Sequence, residues 1–200
     1  MRSWRGDDVE APVETNPNEV ITTVTLTFTP VGGGASVQAQ FRDADGDGGE
    51  SPEINGVTLV DGTTYTMDVE FLNELETPPE DITPEIFTER DEHQTFTVGD
   101  IVEGPATSVT SGALIRHDYA DQDTFGIPIG LTNTIEALTT GSGTFSFGLR
   151  HMPLINGEPQ KRAGLAAEVA DGGGFSSITS ATTLPGSWDV VVDLPLTVVE

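Results

Sequence analysis

Asp43, Asp45 and Asp47 alternate along Asp43-Ala44-Asp45-Gly46-Asp47-Gly48, with Glu50 and Glu53 close behind. Carboxylates at alternate positions on a glycine-bent backbone can converge on one hard cation, and Ca2+ takes roughly six to eight such oxygens. The three aspartates match the first, third and fifth positions of an EF-hand loop, and Gly48 matches its turn glycine. Ile54 stands where that loop needs its last bidentate glutamate, and no helical pattern flanks the segment. A true EF-hand is therefore excluded. A calcium site here would draw its last ligand from Glu50, Glu53 or another strand. The alternative is a solvated acidic hairpin, since Asp-x-Asp-x-Asp-Gly arises readily in a chain this rich in aspartate.

The histidines are His93, His117 and His151. Two imidazoles plus a carboxylate can hold zinc or copper, and His93 with His151 is the pair considered for such a site. No short His-x-His spacing exists, so the two must be brought together from distant segments. The alternative is a pair of hydrogen-bonded structural histidines. Glu80, Asp81, Glu85, Glu89 and Glu92 crowd a neighbouring stretch; they form a solvated face or turn towards a metal or a cationic partner. Paired carboxylates carry little weight for glycosidase chemistry when 33 acids are present.

Other catalytic patterns are missing. The chain has no cysteine, hence no disulfide, thiolate site or thiol nucleophile. It has no Gly-x-Ser-x-Gly elbow, and the glycines at 32–34 and 172–174 lack the lysine and strand-to-helix setting of a phosphate loop. These absences favour a non-enzymatic reading.

The elements that must position these groups read mostly as strands. From Thr22, Val24, Leu26 and Phe28 alternate with threonines up to Pro30, and Gly32-Gly33-Gly34 then leads into a second alternating run at 36–42. The pair reads as a β-hairpin. Further strands are expected at 56–60, 64–72, 94–98, 108–117, 130–138, 143–150 and 188–199. In the last run, Trp188, Val190, Val192, Leu194, Leu196 and Val198 share one face. One short helix is expected near 83–92, with Thr83 as N-cap and Pro84 at the first helical position. Residues 155–186 read as a long Gly/Ser/Thr-rich loop. Many short strands with one helix predict an all-β antiparallel β-sandwich over 19–200, preceded by a disordered acidic leader at 1–18.

The charge is extreme: 33 Asp plus Glu oppose 8 Lys plus Arg, a formal net charge of −25. Lys161 is the sole lysine. Such a surface repels phosphate backbones, so no nucleic-acid partner is expected. Excess carboxylate with almost no lysine is the look of halophilic proteins, and also of acidic proteins from marine or surface settings. No apolar run reaches the length of a membrane span. The cations at the start have no apolar stretch behind them, so they do not read as a signal peptide.

Several segments recur in an order that resembles a family of small, uncharacterised bacterial cell-envelope lipoproteins. They are Glu19–Leu26, Phe41–Gly49, Leu72-Asn73-Glu74, Glu80–Thr83, Asp91–Gln94 and Leu149-Arg150-His151. The resemblance covers roughly residues 19–154 and the final strand. It implies envelope localisation, a β-sandwich, and in the relatives a signal peptide and lipidated cysteine ahead of an acidic tether. This chain lacks both of those features, and its residues 155–186 look longer than usual. The family supplies no established activity. It places Asp43, Asp45, Asp47, Asp81, Glu85, His93 and His151 at or beside its recurring segments, and the Asp loop is expected to meet the helix acids beside a sheet edge.

Three functional readings follow. The leading one is an extracellular or cell-envelope calcium-binding module with a structural or ligand-binding role. The second is a zinc or copper protein, carrier or metalloenzyme, built on His93 and His151. The third is a self-assembling or adhesive subunit that adds strands through threonine-rich edges such as Thr22–Thr29.

Overall fold

The structure, a computed structural model, describes residues 18–173, 175 and 184–200. The leader up to residue 17, and the side chain of Asp47, lie outside the described residues. Strand β1 (Thr23–Pro30) pairs in antiparallel register with β2 (Val37–Arg42), Phe28 opposite Val37, across the glycine turn. Period-two alternation is realised there. Val24, Leu26 and Phe28 are wholly buried. On the other face, Gln40 and Gln38 donate hydrogen bonds to Thr25 and Thr27.

The chain continues through β3 (Glu53–Asn55), β4 (Val57–Val60), β5 (Thr64–Asn73) and β6 (Glu80–Asp81) to helix α1 (Thr83–Thr88). Then come β7 (His93–Val98), β8 (Val102–Glu103), β9 (Ile115–Tyr119), β10 (Thr132–Ala137), β11 (Gly141–His151), helix α2 (Leu165–Asp171) and β12 (Ser187–Val199). They form an eight-stranded sheet ordered β3-β2-β1-β5-β10-β9-β8, with β6 also on β5, and a four-stranded sheet ordered β4-β12-β11-β7. Between them lies one large core containing Phe28, Met67, Phe71, Phe147, Leu149 and Leu194.

The all-β expectation holds, and its details change. The sheets curl as half-barrels rather than stacking as a clear sandwich. They are mixed, because β12 pairs β4 and β9 pairs β8 in parallel. Strand β1 lies between β2 and β5, so Thr22–Thr29 is not an exposed edge. The run at 108–117 forms a strand only from Ile115.

Both helices also differ from expectation. Ile82, not Thr83, caps α1. The Thr83 hydroxyl is taken by the Phe71 backbone N–H, which donates to it at 2.9 Å. Within 155–186, α2 forms around the buried pair Leu165 and Val169. These pack with Phe96, Val98, Met152 and Leu184 into a second apolar cluster on the outer face of the four-stranded sheet.

One irregularity positions the site described next. Pairing of β11 with β12 runs Leu149 to Val190 but Arg150 to Trp188, leaving Asp189 as an extra residue. A bulge of this kind re-aims side chains. Trp188 therefore leaves the face of Val192, Leu194 and Leu196 and packs against the second cluster instead. The Arg150 guanidinium sits 4.9 Å from its ring and donates to the carbonyls of Leu184, Pro185 and Gly186.

Candidate metal centre

His93 opens β7 and His151 closes β11, and the two are register partners. They continue the inward-facing rows formed by Leu149 opposite Thr95 and Phe147 opposite Thr97. Both are fully buried, and their rings stack at 4.4 Å between centroids with 16° between planes. The bulge brings Asp189 to the same place with its side chain wholly buried. Glu19, ahead of β1, supplies a fourth group with only 6% of its side chain exposed.

One ligating atom from each of Glu19, His93, His151 and Asp189 lies within 4.8 Å of all the others. His93 Nε2 is 3.1 Å from Glu19 Oε2 and 3.8 Å from Asp189 Oδ2, and His151 Nδ1 is 3.4 Å from Glu19 Oε2. A tetrahedral ion with bonds of about 2.0–2.2 Å spaces its ligand atoms about 3.3–3.6 Å apart. The observed separations straddle that spacing.

The hydrogen bonds around the cluster leave its centre rich in lone pairs. His93 Nδ1 lies 3.2 Å from the carbonyl oxygen of Glu89. A carbonyl can only accept, so Nδ1 carries a proton; Nε2 then turns a lone pair towards Glu19 in the neutral ring and donates to Glu19 Oε2 at 3.1 Å in the imidazolium. Both carboxylate oxygens of Asp189 are buried and make no well-formed hydrogen bond, with the Glu19 backbone N–H and carboxyl beside them. Lone pairs facing lone pairs in a buried site are unfavourable unless a cation or protons lie between them.

The titration behaviour expresses the same demand. Burial and then the neighbouring Glu19 charge push the Asp189 carboxyl up to about 8. Burial works against ionisation of Glu19 too, but the hydrogen bond and charge of His93 outweigh it and hold that carboxyl below its ordinary value. Burial likewise opposes protonation of His93, and the Glu19 hydrogen bond and charge overcome it to raise its pKa. Protons thus occupy the site where a metal ion would otherwise satisfy all four groups.

A further carboxylate lies close to the arrangement without a hydrogen bond to it. Glu92 Oε2 accepts a hydrogen bond from the Leu154 backbone at 3.0 Å and lies 4.0 Å from His151 Nε2. Carboxylates and carbonyls behind ligating histidines orient the ring and raise its basicity. The Glu89 carbonyl stands in that position for His93, while Glu92 is the nearest carboxylate behind His151 at 4.0 Å.

Of the residues singled out from sequence, His93 and His151 come together. Asp43, Asp45, Glu50 and Glu53 are not in this group, which is the one such convergence among the described residues. Asp45 Oδ2 accepts from the Glu50 backbone at 3.2 Å beside a 3-10 turn at Gly46–Gly48, and Glu53 faces Arg42 at 3.7 Å. The Asp47 side chain lies outside the described residues. Glu92 is the helix-region acid that reaches the histidines; Asp81 instead accepts from the Thr83 backbone.

Glu19 and Asp189 were missed. Asp189 had a readable signal, because Val190-Val191-Val192 breaks the period-two pattern beside it. Glu19 carried none, being one acid at the edge of an acidic leader.

Comparison with protein-family models, with curated proteins and with solved structures finds no match to this chain.

Proposed function

We propose that the protein binds one divalent transition-metal ion, zinc by the fit of its donors, between Glu19, His93, His151 and Asp189. The observation that carries this reading is the buried convergence of two imidazoles with two carboxylates, one of which makes no well-formed hydrogen bond. Mixed nitrogen and oxygen donors suit zinc, copper or nickel, whereas calcium prefers an all-oxygen shell. Four protein ligands in a buried site are typical of a structural zinc centre, which ties its elements together. Here the ion would join β7, β11 and β12 to the segment leading into β1.

The surroundings support the same role. A net charge of −25 concentrates divalent cations around the molecule. An extracellular or cell-envelope setting, where the acidic exterior meets salt, belongs to the same proposal.

Thermal unfolding with zinc and with chelator, at matched ionic strength, tests it. Free zinc at a hundredfold excess over Kd stabilises by about 2.7 kcal/mol. For a chain of this size that raises Tm by about 5–10 °C. An unchanged Tm contradicts the reading.

A further inference from the structure

The four ligands are not held alike. His93, His151 and Asp189 lie on neighbouring strands of one hydrogen-bonded sheet, and the His93 ring is also bonded to the Glu89 carbonyl. Glu19 precedes β1 and lies outside any strand. Among the described residues its neighbour Asn18 is held through its side chain: its amide donates to the Trp188 carbonyl at 3.2 Å, and Ser187 Oγ donates to it at 2.7 Å. Both of those bonds are exposed. Val20 on the other side is 53% exposed. The first backbone ladder bond of this segment comes only at Thr22, whose N–H donates to the Leu72 carbonyl.

We infer that Glu19 is an exchangeable ligand. Resting on the metal reading above, the strand-borne trio His93, His151 and Asp189 forms the permanent part of the site. The segment at 18–20 is a strap that closes it. When the strap swings out about Val20, the ion keeps three protein ligands and gains one open position. Two histidines and one carboxylate with an open position are the donor set of metal centres that bind water or a small anion directly. The incoming ligand is thus a small oxygen- or nitrogen-donor anion, and Glu19 competes with it for the fourth place.

The chemistry supports competition rather than simple loss. Departure of Glu19 opens one place for the incoming anion, so the number of anionic donors around the ion is unchanged by the exchange. The free Glu19 regains full hydration. Nothing covalent forms or breaks, and one metal–oxygen bond is traded for another.

The test uses the full chain loaded with Co2+, whose visible spectrum reports coordination, and azide as the probe anion. Wild type and Glu19→Ala are compared, with His93→Ala as the variant expected to lose the metal. Glu19→Ala is expected to retain one Co2+ per chain, with a smaller loss of affinity than His93→Ala. Its spectrum should shift saturably with azide, while that of wild type responds only at much higher azide. Glu19→Gln, which keeps the shape of the side chain with a weaker donor, should fall between them; it also serves if the alanine variant does not fold. Loss of Co2+ from both Glu19 variants as complete as from His93→Ala overturns the inference, as does an azide-insensitive Glu19→Ala spectrum. Failure of the wild type to take up Co2+ is a separate result that overturns the metal reading and the inference with it.

Discussion

His93 and His151 stand directly opposite one another on β7 and β11, with rings 4.4 Å apart and nearly parallel. They are separated by more than fifty positions in sequence, yet strand register alone makes them neighbours. Two imidazoles stacked in a buried place cannot both be charged cheaply. Glu19 and Asp189 beside them make the spot a natural seat for one positive ion rather than two protons shared among four groups.

Asp189 sits at the centre of that balance. Replacing it with asparagine keeps its shape and removes a buried carboxylate that makes no well-formed hydrogen bond. Without metal, Asp189→Asn is expected to match or exceed wild type in stability, by up to about 1 kcal/mol. With zinc, it should show none of the wild-type gain. Urea denaturation of both proteins, with zinc and with chelator, checks this; a variant that keeps the zinc-dependent gain removes Asp189 from the site.

Away from the site, the sole lysine is a structural ion. Lys161 Nζ lies 2.9 Å from Asp123 Oδ2 and donates to the Arg90 carbonyl at 2.8 Å, and both side chains of the pair are almost wholly buried. Asp123 meanwhile receives the backbone N–H groups of Phe125 and Ile127. Removing one partner of a buried pair strands the other charge. Lys161→Met should therefore destabilise by about 3–5 kcal/mol, and adding Asp123→Asn should restore part of it. A loss near zero, as for an exposed pair, would mean the charge is not stranded.

His117 supplies a pH signature of its own. It is fully buried; Asn133 Nδ2 donates to the Gly130 carbonyl, which leaves Asn133 Oδ1, 2.9 Å from His117 Nε2, to accept from the ring. Burial lowers its pKa below 6.5, against smaller raising effects from Asn133 and Asp118. The unfolded chain therefore takes up a proton near 6.5 that the folded chain refuses, so stability falls as pH drops below that value and is flat above it. His93 runs the opposite way: its pKa is raised, and its contribution is present at low pH and lost as pH rises through the folded value. His117→Gln should flatten only the acid-side loss. Denaturation from pH 8 down to about 5 reads it, and a variant with the same slope as wild type refutes the assignment.

The sequence pattern carried the core strands well because their burial is one-sided. Val24, Leu26 and Phe28, or Phe145, Phe147 and Leu149, alternate with polar residues and are buried as that pattern requires. Curvature and sheet order were not legible, since parallel β4 on β12 depends on how distant strands meet rather than on local spacing. The helix α2 was hidden among glycines, with only Leu165 and Val169 marking its buried face.

The site was half legible for a related reason. His93 and His151 are rare residue types, so they drew attention at once. Acids are abundant, and what distinguishes Asp189 from Asp193 four residues later is the bulge. Asp193 faces outward and takes a bond from Ser146, while Asp189 is turned into the core. The run Asp43–Glu53 is conspicuous by spacing, but Asp45 turns to a local backbone N–H and Glu53 to Arg42.

The most direct test of the central claim is zinc-edge X-ray absorption on the full chain, after addition of one equivalent of zinc and exhaustive buffer exchange. One zinc is expected to be retained, with about four nitrogen and oxygen donors at roughly 2.0–2.1 Å, and with the outer-shell scattering of two imidazoles. A protein that retains no zinc, or an oxygen-only shell without imidazole scattering, contradicts it.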